Sequence, residues 1–348
     1  MSAPPSRTVT FALGAEPDRL RGVRLWQEVR IPGDQLGMTW DGTRWTLQLP
    51  RPAVDRMEYL FELTHPDGHT ETVLDPDNPQ RVGGAFGDHS VIEFPEYRSP
   101  AWLAAEPASG TRTPLQIDAP LVAGEIVGEL WAPAGLAPGV AAPLLVAHDG
   151  PEYDSLASLT HYLGAAIDAD SIPPARAALL SPGHRDDWYS ASGAYTRSLV
   201  DAVLPTLREQ TRATAVIGMG ASLGALEMLV AHRTAPGAFD GLFLQSGSFF
   251  QPRYDDQESS FPEYDRIVRS VSGVLGSAGS RSPVPVEMTC GGIEENITNN
   301  RILARSLADQ GYEVALHEVR DVHNYTAWRD CFDPHLTGLL SRAGSGRA

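Results

Sequence analysis

Between residues 8 and 97 apolar and polar positions alternate in short runs, among them Thr8-Val9-Thr10-Phe11-Ala12-Leu13, Trp45-Thr46-Leu47-Gln48-Leu49 and Glu58-Tyr59-Leu60-Phe61-Glu62-Leu63. A period of two sends successive side chains to opposite faces, so each run predicts a half-buried strand. Turn formers such as Asp41-Gly42 and Pro66-Asp67-Gly68 separate them, a layout that predicts an antiparallel β-sandwich. The segment 96–103 reads as the exit from it.

Beyond about residue 110 the texture changes. Continuous apolar runs, Leu144 to His148, Ala177 to Ser181, Gly241 to Gln245 and Val286 to Cys290, alternate with helical stretches such as Ala194 to Gln210. A strand buried on both faces has no polar side, and alternation with helices predicts a mostly parallel sheet covered on both faces. Two domains follow, a sandwich over 1–100 and an α/β domain over 110–345. Pro/Gly/Ala-rich residues 133–142 and the Ser/Gly-rich stretch 271–282 read as surface loops.

Inside the second domain, Gly218-Met219-Gly220-Ala221-Ser222-Leu223-Gly224-Ala225-Leu226 places a serine between two glycines. Alone the pattern is weak. Its context is stronger, because Thr214 to Met219 reads as a buried strand and Leu223 to Ala231 as a helix rich in Ala and Leu. A strand–serine–helix turn with small neighbours is the setting of a nucleophile elbow, so Ser222 is the candidate nucleophile.

A nucleophilic serine needs a base, which in this chain order follows it. His232 falls late in the elbow helix and is expected at the surface, and His317 falls inside the strand-like run Glu313 to Val319. His323 follows that run directly, at the carboxyl edge of the sheet, and is the candidate base. An acid to orient it is expected in the loop after the preceding strand, where Glu294 and Glu295 stand side by side.

Composition narrows the partners. A formal charge of −17 opposes nucleic acid and anionic membranes as bulk-surface partners. No run of about 18 apolar residues predicts a membrane span. The N-terminal residues lack the layout of a secretory signal, so a cytoplasmic location is expected. The two cysteines, Cys290 and Cys331, match no zinc spacing and read as buried thiols. No metal or other cofactor is called for.

Several motifs together resemble the enterochelin (ferric enterobactin) esterase-like branch of the esterase D group of α/β-hydrolases. The segment Asp75-Pro76-Asp77-Asn78-Pro79 in the sandwich is similar to that family's Ig-like N-terminal domain. His148-Asp149-Gly150-Pro151-Glu152-Tyr153 resembles its D-G loop, and the Ser222 segment its elbow. Gly291-Gly292-Ile293-Glu294-Glu295-Asn296 is similar to its acid loop, where the second glutamate, Glu295, matches the family's acid. His323-Asn324-Tyr325-Thr326-Ala327-Trp328-Arg329 resembles its closing motif. The resemblance implies an α/β-hydrolase fold with an N-terminal Ig-like β-sandwich and a serine esterase acting through Ser222, His323 and Glu295.

Three departures stand out. Trp188 occupies the usual glutamate position of the loop Arg185-Asp186-Asp187-Trp188-Tyr189, and Val322 replaces a small residue before the histidine. Pro151 stands where related enzymes offer an N–H to the oxyanion, and proline has none. Leu223 is then one expected donor, with the second from Gly150, Glu152 or elsewhere.

By resemblance the substrate is a small-molecule ester, a catecholate trilactone siderophore with or without iron. Arg185 and Arg329 are the expected contacts for its negative charge, unless they are loop-fixing ion-pair partners, Arg185 with Asp186 or Asp187. Tyr153, Trp188 and Tyr189 are expected on the cleft rim, with Phe249, Phe250, Tyr325 and Trp328 nearby. Two other readings stand beside this one. Similar folds act on acyl or feruloyl groups of carbohydrates, and Pro151 suits a non-catalytic binding protein on a hydrolase scaffold.

Overall fold

The computed structural model describes residues 8–14, 18–106, 109–279 and 282–344. The N-terminal residues read for a leader segment lie largely outside them. Two compact units emerge. One comprises residues 1–98 together with Gly291–Glu295 and Val319–Asn324, and the other comprises the remainder.

In the first unit, β1 (Thr8–Leu13), β3 (Thr39–Trp40) and β4 (Trp45–Pro50) form one antiparallel sheet. A second contains β2 (Gly22–Gln27), β5 (Arg56–Thr64), β6 (Thr70–Val73), β7 (Arg81–Gly84) and β8 (Gly87–Glu93). Phe11 and Leu49 from the first sheet share one core with Leu25, Met57, Tyr59 and Phe61 from the second. The alternating runs therefore do form the strands of a β-sandwich, with the period of two setting which residues turn inward. The Asp75-Pro76-Asp77-Asn78 segment is pinned to it: the buried Tyr59 hydroxyl donates to Asp75 Oδ2 at 2.6 Å. Asn78 Nδ2 donates to the Val91 carbonyl at 2.7 Å. Two short segments from later in the chain also belong here, because Val322 lies in this core and Ile293 packs against it.

The second unit is built on an eight-stranded sheet. Its strands are β9 (Gly110–Ala119), β10 (Gly124–Pro133), β11 (Ala142–Ala147), β12 (Arg176–Leu180), β13 (Ala213–Ala221), β14 (Gly241–Gln245), β15 (Pro285–Gly291) and β16 (Glu313–Val319). Their order is β16-β15-β14-β13-β11-β12-β10-β9. The run from β12 through β11, β13 and β14 to β15 is parallel, and β9 and β10 are antiparallel to their neighbours. Every residue of β11, β12 and β14 is buried, which explains why their sequences carry no alternation. The fold is α/β, as the run of apolar strands and helices predicts.

Local expectation failed where a weak propensity met a strong apolar face. The Ser/Gly-rich stretch after residue 271 continues a helix, Tyr264–Leu275, through its first five residues. Ile267, Val271 and Val274 fall on one face and are buried, and that burial outweighs the poor helix propensity of Ser and Gly. Both cysteines are buried. Among the described residues no helix is long and apolar enough to cross a membrane.

Candidate active site

Ser222 sits between β13 and the helix Leu223–Thr234 with φ 56° and ψ −123°. A side chain other than glycine is held in that region only when its surroundings over-determine it, and such strain concentrates at functional positions. The surroundings do so here. The Ser222 N–H donates to the Gln245 carbonyl at 2.9 Å, and the Ser222 carbonyl accepts from the Ser248 N–H at 3.1 Å. A Cβ on Gly220 would lie 2.5 Å from the Gly224 carbonyl, and one on Gly224 would lie 3.2 Å from His148 Cβ. The glycine at 220 is thus demanded by close backbone approach, while at Gly224 a methyl would press on the His148 side chain. Ser222 Oγ meets Ser248 Oγ at 3.0 Å. The first N–H groups of the following helix, that of Leu223 included, have no carbonyl a turn behind them and carry the helix's positive end.

His148, which the sequence reading passed over, braces this turn. It is wholly buried, and burial lowers its pKa to about 3. As a neutral imidazole its Nδ1–H donates to the Gly224 carbonyl (3.1 Å), leaving Nε2 to accept from the Tyr195 hydroxyl (3.0 Å). Only its place next to Asp149-Gly150 hinted at such a role. Gln245 is a second brace: Oε1 accepts from the Tyr153 hydroxyl, and Nε2 donates to Thr289 Oγ1 and to the Trp328 carbonyl. The Trp328 indole N–H donates to Ser246 Oγ at 3.1 Å. Trp328 therefore fixes the chain after β14 rather than facing a ligand.

Several expected rim residues are core residues. Tyr153 and Tyr189 have no exposed surface, and Trp188 and Phe249 are buried as well. Tyr189 stacks on His148 with ring centroids 4.2 Å apart, and Trp188 stacks on Tyr195 at 5.1 Å. Burying these rings gains more than leaving them on a rim, so the expectation that Tyr153, Trp188 and Tyr189 line a cleft is corrected. His232, expected at the surface, is also buried, edge-on to Tyr312.

Arg185 is an ion-pair partner, though not of Asp186 or Asp187. It grips the buried carboxylate of Asp149 through Nε and Nη2 at 2.8–3.1 Å, with about a third of its side chain (34 %) exposed. Arg329 pairs with the adjacent Asp330 at 2.7 Å. Gly150 and Pro151 open a helix, Gly150–Ala157, where the missing proline N–H costs nothing. Glu152, in its first turn, has its carboxyl pKa raised by burial.

The candidate base and acid lie in the first unit. His323 Nδ1 is 3.8 Å from Glu294 Oε1, and the Glu294 side chain is buried whereas Glu295 is exposed. The assignment of the acid to Glu295 is therefore corrected: adjacent residues in the turn after β15 point apart, and the second glutamate points to solvent. Burial acts to lower the His323 pKa, but Glu294, with smaller effects from Glu28 and Glu295, more than offsets it and the net shift is upward.

A buried charge network holds the His323 loop. Arg56, on β5, binds Glu58 Oε1 at 2.7 Å and Asn324 Oδ1 at 3.3 Å, and lies 3.7 Å from Asp321 Oδ2. Asp321 Oδ1 accepts from the Val322 N–H and from Asn324 Nδ2. His89 Nδ1 and Glu58 Oε2 close the far side at 2.7 Å. Burial pushes Asp321 up to about 7 against the pull of Arg56, and burial with the charge of Glu58 does the same to Glu28. The loop of Glu294 joins in, since Gly292 N–H donates to the Val319 carbonyl and a Cβ at Gly291 would run into the Asp321 carbonyl. The Arg56 partner was not visible in the motif itself, because Arg56 and Asn324 are 268 residues apart.

Comparison with known proteins gives the family and the fold. Residues 124–339 match the model of the Esterase family, described as "Putative esterase". The chain belongs to that family. No curated protein matches the sequence. Among solved structures, the fold is similar to the enterobactin esterase FES from Shigella flexneri, crystallised in the presence of enterobactin. The TM-score is 0.74 at 18 % identity, with 97 % of this chain and 92 % of that chain covered. Ferric enterobactin esterase from Salmonella typhimurium gives 0.74 at 19 % identity, covering 97 % of this chain and 93 % of that one. A ferulic acid esterase gives 0.55 at 12 % identity, covering 68 % and 100 %. The fold is thus that of the enterochelin esterase-like branch over nearly the whole length.

Proposed function

We propose that this esterase is a serine hydrolase working through an acyl-enzyme. Ser222 Oγ attacks the ester carbonyl while His323 takes its proton; the alcohol leaves with that proton, and water then repeats the sequence to free the acid. Glu294 stabilises the imidazolium formed at His323. The Leu223 N–H, at the positive end of its helix, stabilises the oxyanion, with Gly150 or Glu152 as the second backbone donor. The observation that carries this reading is the strained backbone of Ser222 between strand and helix. Its support from chain order is that Ser222, Glu294 and His323 each follow a sheet strand within four residues, β13, β15 and β16 respectively.

For substrate, a catecholate trilactone siderophore is the reading favoured by the fold likeness over 97 % of the chain to an enzyme crystallised with enterobactin. Arg185, whose side chain stays about a third exposed beside Asp149, is the cation suited to such an anion. A feruloyl or acyl ester of carbohydrate is the second reading, favoured by the likeness to a ferulic acid esterase. A hydrolysis screen over aryl esters, feruloyl sugars and catecholate lactones, with and without iron, separates them. The lactone should give the highest kcat/KM, and Arg185→Lys, which keeps a cation beside the buried Asp149, should raise KM more for the anionic substrate than for a neutral aryl ester. Highest kcat/KM on feruloyl sugars would favour the second reading.

A further inference from the structure

Outside the site described above, Glu287, His317 and His335 bring one ligand atom each to within 4.8 Å of one another. Glu287 is the third residue of β15 and His317 the fifth of β16, neighbouring strands of the sheet. His335 comes from the segment Phe332–Leu336, which precedes the C-terminal helix Thr337–Gly344. The two imidazoles stack face to face, centroids 3.6 Å apart and planes 22° apart. His317 Nε2 and Glu287 Oε2 are separated by 2.8 Å.

We propose that these three side chains form a site for a divalent transition-metal ion of the zinc class, which ties the C-terminal segment to β15 and β16. A hydrogen bond links Glu287 to His317, and His335 meets the pair through its stacked ring face alone. An ion uses all three. Tetrahedral bonds of about 2.0–2.1 Å place donor atoms roughly 3.3 Å apart, so the donor atoms, within 4.8 Å of one another, would close in as the stacked rings turn toward the ion. Two imidazoles and a carboxylate are the donor set of zinc and its neighbours in the first transition row, not of magnesium or calcium. The carboxylate is also held for the purpose: Arg342 binds its other oxygen, Glu287 Oε1, at 3.1 Å and Glu313 Oε1 at 2.6 Å. Such outer partners orient ligating carboxylates. All three ligands are half-buried, so the ion can enter and water can complete its coordination.

The test uses tag-free full-length protein stripped with a chelator and then dialysed. Calorimetric titration with Zn²⁺ should show one ion per chain, and Co²⁺ should give the visible absorption of a tetrahedral complex. His317→Gln and His335→Asn, made separately, should each weaken zinc binding at least about tenfold, as lost metal partners do. Zinc should raise the melting temperature of the parent protein, because an ion that binds only the folded state stabilises it by mass action, and raise that of the variants less. Both variants should keep ester hydrolysis. Absence of stoichiometric zinc binding by the parent protein would overturn the proposal, as would undiminished binding in both variants. If one variant fails to fold, the parent titration and the other variant decide.

Discussion

The carboxylate of Glu294 lies 3.8 Å from the Nδ1 of His323, sealed from solvent, while its neighbour Glu295 is exposed. A buried acid facing one ring nitrogen fixes the tautomer that leaves the other free to act as base. Glu294→Gln is therefore expected to lower kcat by on the order of 10²–10⁴. Glu295→Gln should stay within a few-fold of the parent. Steady-state kinetics on an activated aryl ester measures both, and equal small losses would remove the acid from the mechanism.

The same relationship sets the pH dependence. In the proposed mechanism His323 must be neutral to accept the proton of Ser222, and its pKa is raised above the ordinary 6.5. Activity should fall as pH drops through a value above 6.5, and the acid limb of kcat/KM should move to lower pH in Glu294→Gln, which has lost the stabilising charge. Asp321, at about 7, titrates in the same window, so the limb belongs to the group rather than to one residue. An unshifted limb in the variant would contradict the role given to Glu294.

Arg56 tests what the first unit contributes to this loop. Removing one partner of a buried ion network strands the others, at a cost of about 3–5 kcal/mol. Arg56→Met should cost that much in urea unfolding and lower kcat as well, since Glu58, Asp321 and Asn324 lose the group that ties them together. Arg51→Ala breaks a pair whose Glu96 side chain is 44 % exposed and should cost clearly less. Similar costs for the two would deny the network its special weight.

Gly220→Ala addresses the elbow. The added methyl meets the Gly224 backbone at 2.5 Å, and backbone cannot rotate aside as a side chain can. Overpacking of about 1–3 kcal/mol, with most activity lost, is expected. Unchanged melting and hydrolysis would mean that the turn is looser than its geometry indicates.

How far the chain could be read without its structure depended on the distance over which each feature is decided. Gly241–Gln245 is a strand from end to end because five buried residues in a row need no distant partner to be recognised. The elbow was legible for the same reason, strand, glycines, serine and helix all falling within about twenty residues. Glu294 and Glu295 were not separable, since only the pairing of their loop with that of His323 decides which one turns inward. Tyr153 and Tyr189 looked suited to a rim because aromatic character says nothing of direction; their partners Gln245 and His148 lie 92 and 41 positions away in sequence. Arg185 and Asp149, 36 residues apart, belong to the same class.

Covalent labelling tests the central claim, that Ser222 is the nucleophile of this esterase, most directly. The protein is treated with a fluorophosphonate, weighed intact and then mapped by peptide mass spectrometry, with Ser222→Ala and Ser248→Ala alongside. One phosphonyl adduct on the peptide that carries Ser222, absent in Ser222→Ala and retained in Ser248→Ala, is the expected result. Labelling that persists in Ser222→Ala, or no labelling of a protein that still hydrolyses esters, would contradict it.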